Sequence, residues 1–335
     1  MFSGGGVSSD VRLWVERGFG RREIVPRMLA AAPSLSIIST GKQPIEGTSI
    51  LDYPSLSTPE GIRAINRLIE ANGVDALWPQ RAAHYDLSDV NAEVHAAATP
   101  EVIALVDDKA RFAEWLGDDP FRADTTEVIG ATGVASEYAR RHANGQAVCV
   151  KPVVGVNGEG YWHLREAEQP STMLDTPEKR EMHPELYLKA MELYERDAAQ
   201  QRLIVMEYLP GPEVSNDVLC WRGIPLLHAA RTKLGNHTQR IQSDHPTIPH
   251  AYRVAEELKL HGVVSMQYRL DAEGTWKMLE VNPRPAAGSI NSEDAGFSIL
   301  TGWAKLVGKL AGPSDLAQFH GDVTLAVKRI AQVVR

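Results

Sequence analysis

Between residues 24 and 105 short apolar strands alternate with helical stretches, and this alternation leaves few folds open, because parallel strands need a crossover helix between them. Residues 35–39 and 74–78 read as strands. Between them, Thr58-Pro59-Glu60 supplies a side-chain cap, a proline at the first helical position and an early acid. The helix that follows carries the apolar stripe Ile62, Ile65, Leu68 and Ile69 and ends at Gly73. Thr99-Pro100-Glu101 repeats the same start before a helix over 102–106. At the head of the chain, Phe2-Ser3-Gly4-Gly5-Gly6 stands where a first strand and its glycine turn are expected, so that strand is read as shortened.

A second region opens near Asp107 with a helix over 108–116, and after Thr126 the pattern reads as longer strands separated by glycine turns. Residues 146–154 and 161–164 flank a glycine cluster and read as a hairpin. The stretch 165–200 is polar, with a helical pattern through Leu186, Leu188, Met191 and Leu193; residues 166–184 within it are read as a mobile insertion. Strands follow at 203–209, 214–221 and 226–230, then a histidine-containing loop, a helix over 248–260 and a last hairpin over 263–281. At 335 residues the chain is long enough for two or three packed units. Its 43% hydrophobic residues exclude disorder, and no apolar run approaches the roughly 18 residues that span a bilayer. No signal-like segment is seen, so a cytoplasmic location is expected. Cys149 and Cys220 fit neither a disulfide framework nor a metal site and read as buried thiols. With 43 acids against 35 bases, a net charge of -8 argues against nucleic-acid binding. A bound polyanion has to be gripped locally.

Two segments concentrate chemistry. In Val148-Cys149-Val150-Lys151-Pro152-Val153-Val154-Gly155-Val156-Asn157-Gly158-Glu159-Gly160 a lysine ends an apolar strand just before Gly155, Gly158 and Gly160. Glycines let backbone N–H groups approach phosphate oxygens, and the ammonium adds a mobile point charge. Neither the P-loop nor the dinucleotide fingerprint fits, and a lone glycine hairpin is more often only a turn. The second segment runs from Ser265 to Arg284. If Leu270 pairs with Thr275 across a four-residue turn, Gln267 lies opposite Met278, and alternation sets Glu280 and Asn282 on the same face. Their carboxylate and amide oxygens suit a hard ion such as Mg²⁺, and Arg284 shares the facing. A three-residue turn flips that parity, and a polar solvent face is the ordinary alternative.

Taken in order, Lys109, then Lys151-Pro152 with the glycine loop, then Met206-Glu207-Tyr208-Leu209-Pro210-Gly211-Pro212-Glu213, then Leu279-Glu280-Val281-Asn282-Pro283-Arg284 resemble the ATP-grasp ligases. Gln267 matches the carbamoyl-phosphate-synthetase-like variant at the first metal position. The resemblance implies a mixed α/β and α+β chain: an ATP-grasp fold of two α/β subdomains preceded by a small Rossmann-like parallel-sheet domain. The expected divisions are 1–106 for the leading domain, 107–210 for the lid with the glycine loop and the insertion 165–200, and 211–335 for the subdomain with the metal hairpin.

The resemblance also implies roles. Lys109 and Lys151 would reach the phosphates of ATP together with Gly155, Gly158 and Gly160. Glu207, Tyr208 and Leu209 would read the adenine edge, and Glu213 the ribose. Gln267, Glu280 and Asn282 would hold Mg²⁺, with Mn²⁺ as the substitute ion. Arg231 and Arg284 would meet the γ-phosphate or an acyl phosphate. The implied reaction is ADP-forming joining of a small-molecule carboxylate to an amine, most simply C–N bond formation, with no nucleic-acid or membrane partner and a homodimer as the implied assembly. An ATP-binding scaffold without catalysis and a small-molecule kinase stay open beside it. His237, His245 and His250 lack zinc spacing. Arg81 and His84 follow a strand end, where open parallel sheets bind ligands, and are candidates for the acceptor substrate.

Overall fold

The computed structural model describes residues 10–16, 21–40, 45, 48–51, 56, 58–79, 86–155, 158–166, 169, 172–193, 201–235 and 237–327. Arg81, His84, the Phe2 to Gly6 segment, Val156 and Asn157 lie outside the described residues. The chain forms two compact units, one of Met1–Ala104, Pro212–Gln267 and Val281–Arg335, the other of Leu105–Gly211 and Tyr268–Glu280.

The first unit contains β1 (Val11–Glu16), α1 (Arg21–Ala31), β2 (Leu35–Thr40), β3 (Ser49–Leu51), α2 (Pro59–Asn72), β4 (Ala76–Pro79) and β5 (Glu93–Val94), and α3 (Pro100–Asp107) begins in it. Its five strands are parallel in the order β3-β2-β1-β4-β5. β1, a strand that the sequence reading did not assign, is six residues long and central. β1 is covered on both faces, the condition under which a parallel sheet is stable. Trp14 packs with Ile38, Ile65, Ile69 and Leu77 on one side. Leu13 and Val15 join Ile24, Met28, Phe297 and Trp303 on the other. α2 forms as its sequence dictates: the Thr58 hydroxyl accepts from Gly61 N at 3.0 Å, and Gly73 closes the helix at φ 58°.

The second unit holds α4 (Lys109–Leu116), β6 (Thr125–Ile129), α5 (Gly130–Ala143), β7 (Val148–Pro152), β8 (Trp162–Leu164), α6 (Thr172–Asp175), β9 (Glu181–Met182), α7 (Pro184–Leu193) and β10 (Arg202–Glu207). Its sheet runs β6-β10-β7-β8-β9. Two expectations change here. Residues 130–143, read as strand and glycine turn, are a helix. The stretch read as a mobile insertion carries α6, a 3-10 turn at Pro177–Lys179 and β9, which pairs with β8.

The third sheet uses β11 (Glu213–Trp221), β12 (Ile224–Lys233), β13 (Thr238–Gln242), β14 (Gly262–Leu270) and β15 (Trp276–Asn282), then β16 (Asp322–Ala326), in the order β15-β14-β11-β12-β13-β16. Its helices are α8 (Ile248–Glu257), α9 (Ser289–Asp294) and α10 (Ile299–Val307). No helix among the described residues is long and apolar enough to cross a membrane. Both cysteines are free and buried.

Within the first unit a histidine pair lies in an aromatic cage. Arg222 N donates to His261 Nδ1 at 3.1 Å, so the proton of neutral His261 sits on Nε2 and is donated to His95 Nδ1 at 3.0 Å. Trp221 and Trp303 flank both rings. Burial is the main cause that pushes each imidazole down to about 4. The unfolded chain therefore binds these protons more readily. The pair's share of stability is complete above the ordinary value of 6.5 and is lost as pH falls toward about 4. We expect both imidazole C–H resonances to keep neutral shifts at pH 5.5 while the thermal midpoint falls between about pH 6.5 and 4.5. Protonated shifts at pH 5.5 would overturn the neutral pair.

Candidate nucleotide site

The start of α4 fixes Lys109. Asp108 caps the helix by accepting from Ala110 N at 3.1 Å and Arg111 N at 3.0 Å. Arg202 donates to the same carboxylate at 2.8 Å and to Glu127 at 2.5 Å. Lys109 N bonds Val153 O at 3.1 Å, and its Nζ donates to Gly155 O at 3.0 Å. The first glycine of the loop thus offers its carbonyl rather than its N–H.

Lys151, on β7 opposite Ile204, meets Lys109 at one pocket whose apolar wall includes Phe112, Ile204, Met206 and Leu279. Burial and the neighbouring Lys151 charge lower the Lys109 pKa, while the carboxylates of Glu280, Asp107 and Asp108 oppose the fall. Two ammonium groups beside an apolar slot, with a carboxylate in electrostatic reach, suit a polyanion that carries a flat ring.

The strand end beside this pocket is held tightly. Glu207 N donates to Asp124 O at 3.0 Å, Asp124 N donates to Glu207 Oε1 at 2.8 Å, and Tyr208 N donates to Ala147 O at 2.8 Å. Those amide groups serve the fold. Burial raises the Glu207 pKa, with the Asp124 N–H opposing it. Asp124 is in turn gripped by both ends of the buried Arg141 guanidinium, each at 2.9 Å. The Tyr208 ring lies flat on His163, centroids 3.5 Å apart and planes 3° from parallel, and Leu209 is buried. Neither Arg141 nor His163 stood out in the sequence, since each acts through a partner remote in the chain. Gly211 N bonds Leu270 O at 3.0 Å, and a Cβ at Gly211 would lie 2.5 Å from Leu270 Cβ, so the approach requires glycine.

In the first unit Glu213 pairs with Lys233 at 2.6 Å. Arg231 is almost fully buried: Nε donates to Asp217 Oδ2 at 2.6 Å and Nη2 to Oδ1 at 3.1 Å. Arg284 donates from N to Asn282 O at 2.7 Å and from Nη1 to Pro285 O at 3.3 Å. His245 Nδ1 bonds the Thr247 hydroxyl at 2.8 Å, and His250 is buried in α8.

Gln267 lies on β14 and Glu280 and Asn282 on the adjacent β15. The hairpin turn differs from the four-residue one expected. Asp271 N donates to Thr275 O at 2.8 Å across three residues, Gly274 takes φ 85°, and the Asp271 carboxylate accepts from Glu273 N at 3.0 Å and Thr275 N at 2.7 Å. A ladder continued evenly from that turn sets Leu279, not Met278, opposite Gln267. The parity argument for the metal set therefore does not hold at the turn; the chemistry of its oxygen donors is unchanged.

Solved structures resemble the chain along most of its length. Carboxyaminoimidazole ribonucleotide synthase from Aspergillus clavatus, complexed with ATP, matches at a TM-score of 0.62 and 14% identity, over 94% of this chain and 81% of that one. Biotin carboxylase from Campylobacter jejuni matches at 0.59 and 14%, over 92% and 74%. L-amino acid ligase from Bacillus licheniformis matches at 0.59 and 12%, over 90% and 75%. The fold is the ATP-grasp fold. A family model described as ATP-grasp in the biosynthetic pathway with Ter operon matches residues 199–330. No curated protein matches it.

The three loop glycines separate by physical cause. Gly158 and Gly160 both hold φ 69°, but a Cβ at Gly160 would also sit 2.7 Å from the Pro152 ring, whereas Gly158 faces open space and Gly155 has only ordinary contacts. In urea unfolding, Gly155→Ala is expected to stay within about 0.5 kcal/mol of wild type. Gly158→Ala should cost about 1–2 kcal/mol, and Gly160→Ala about 1–3 kcal/mol more. Equal losses at Gly158 and Gly160 would contradict the contact with Pro152.

Proposed function

We propose that the chain is an ATP-dependent ligase that activates a carboxylate as an acyl phosphate and joins it to an amine, releasing ADP and phosphate. The observation that carries the reading is the meeting of Lys109 and Lys151 over one apolar pocket, with Glu280 near enough to favour the charge on Lys109. The ordered motifs and the ligase among the similar structures support it.

In this reading a carboxylate oxygen of the substrate attacks the γ-phosphorus of ATP, and the bond to ADP breaks. The amine then attacks the carbonyl carbon, phosphate leaves and the nitrogen loses a proton. Lys109 and Lys151 hold the phosphates, and Arg284 meets oxygen charge as it builds on the transferring group, where a forked donor serves two oxygens at once. Glu207, Tyr208 and Leu209 border the base, and Glu213 the ribose. Glu280 and Asn282, two apart on β15, share a face and offer one carboxylate and one amide oxygen, donors that fit Mg²⁺, with Gln267 the third donor that the resemblance implies. Mg²⁺ held there would supply charge neutralisation between phosphate oxygens. Most of the rate enhancement then comes from positioning and electrostatics. A cytoplasmic homodimer acting on small molecules is the setting this reading implies.

Released ADP and orthophosphate, measured across a panel of carboxylates and amines, test the reaction class. Equal amounts of both that depend on a carboxylate and an amine are expected. ADP without orthophosphate and with a phosphorylated product would make the protein a kinase; no ADP from any pair would leave a nucleotide-binding scaffold. Glu280→Ala combined with Asn282→Ala should abolish turnover, and survival of activity would remove the metal assignment. Lys109→Met should weaken ADP binding in calorimetry by about tenfold to a hundredfold, the effect of losing a charge-assisted hydrogen bond of about 1.5–3 kcal/mol.

A further inference from the structure

We infer that Arg231 and Asp217 are positioning residues that set Arg284 through Ser289, rather than groups that touch the transferring phosphate. This rests on the role just proposed for Arg284. The Asp217 carboxylate is fully buried and receives four bonds. Arg231 supplies two of them; Ser289 Oγ donates to Oδ1 at 2.8 Å, and Ser292 Oγ donates to Oδ2 at 2.8 Å. A carboxylate so saturated fixes whatever holds its donors. The guanidinium is seated by shape as well, since a Cβ at Gly288 would lie 2.5 Å from Arg231 Nη1.

From that hub a chain of bonds leads to Arg284. Ser289 Oγ, while donating to Asp217, accepts from Ala286 N at 3.0 Å. This closes the turn over residues 286–289, because Ser289 N also donates to Ala286 O at 3.0 Å. The preceding carbonyl, Pro285 O, accepts from Arg284 Nη1. Ser289 is therefore the link between the hub and the arginine's turn. Ser292 binds the other oxygen of the same carboxylate from the next turn of α9, and its hydroxyl is not among the groups whose bonds close this turn. The two serines share a structural partner and differ in what they pass on, and this separates positioning from simple stability.

The test compares Ser289→Ala, Ser289→Thr and Ser292→Ala, with kcat and the KM for ATP measured in the ADP-release assay and hydrogen exchange followed over residues 282–290. Ser289→Ala is expected to lose at least tenfold in kcat at unchanged KM, since misplacing a catalytic group by about 1 Å costs up to roughly a hundredfold. It should also lose protection at the Ala286 amide. Ser289→Thr, which keeps the hydroxyl, should restore both. Ser292→Ala should match the fall in thermal midpoint but change kcat by less than about twofold. Arg231→Met is expected to slow turnover no further when added to Ser289→Ala, because residues that act through one chain of contacts are not additive.

Equal kcat losses in the two alanine variants, or independent and multiplying effects of Arg231→Met and Ser289→Ala, would overturn the inference. The exchange measurement stands apart from the reaction. If wild type turns over no substrate pair, the ligase reading fails, yet selective loss of Ala286 protection in Ser289→Ala still supports the link, and unchanged protection still sinks it.

Discussion

A carboxylate taken out of water must find donors inside the protein, and the arrangement of the candidate site depends on how this chain meets that demand. Three arginines do most of it. Arg202 reaches the cap residue beside Lys109, Arg141 grips the aspartate that fixes Glu207, and Arg231 pairs with Asp217. Arg202 and Arg141 each hold an aspartate that neighbours or fixes a residue of the proposed site, and Arg231 lies further back, behind Asp217 and Ser289. Exposed ion pairs contribute little, but the Asp108 carboxylate also caps two backbone amides and the Asp217 carboxylate also accepts from two serine hydroxyls, so at both the geometry is fixed by several bonds at once. Loss of Arg231 would leave the buried Asp217 carboxylate without its countercharge.

The division of labour follows from chemistry. Lysines are placed where a mobile point charge is useful, at the ends of α4 and β7, each with its stem along apolar surface. Buried arginines are placed where a rigid fork can hold a carboxylate by two nitrogens. Glycines appear where backbone must pass close to another atom: Gly160 over Pro152, Gly211 over Leu270 and Gly288 over Arg231.

Local chemistry was legible in the sequence wherever it acts over a few residues. The cap at Thr58, the stop at Gly73, the hairpin of β7 and β8 and the two lysines are all of this kind. α5 was missed because Ile129 at its start gives no side-chain cap and Gly130 opens its first turn, so its beginning looks like a loop. Gly133 is there for packing, since a Cβ would lie 3.1 Å from Val128 Cβ. β1 was missed because Arg12 and Glu16 interrupt its apolar run, although the fold buries Glu16 at the strand's end. The register of the last hairpin turned on Asp271, whose carboxylate caps its own turn and selects three residues instead of four. Pairs such as Arg202 with Asp108, or Ser289 with Asp217, join residues 94 and 72 positions apart, and no spacing rule anticipates them.

The core shared by β1, α1 and α10 bears on how the chain can be divided. Leu300 and Trp303 on α10, with Phe297 just before it, are fully buried against Leu13, Val15, Ile24 and Met28 from the first thirty residues. Residues 199–330, the stretch recognised as an ATP-grasp family region, thus do not own all of the surface that covers them. Cut out as a fragment, that stretch would carry a bare apolar face with three aromatic side chains, Trp221, Phe297 and Trp303, in or against it. The leading sheet is consequently a structural wall of the later region, and domain shuffling could not have exchanged one without resurfacing the other.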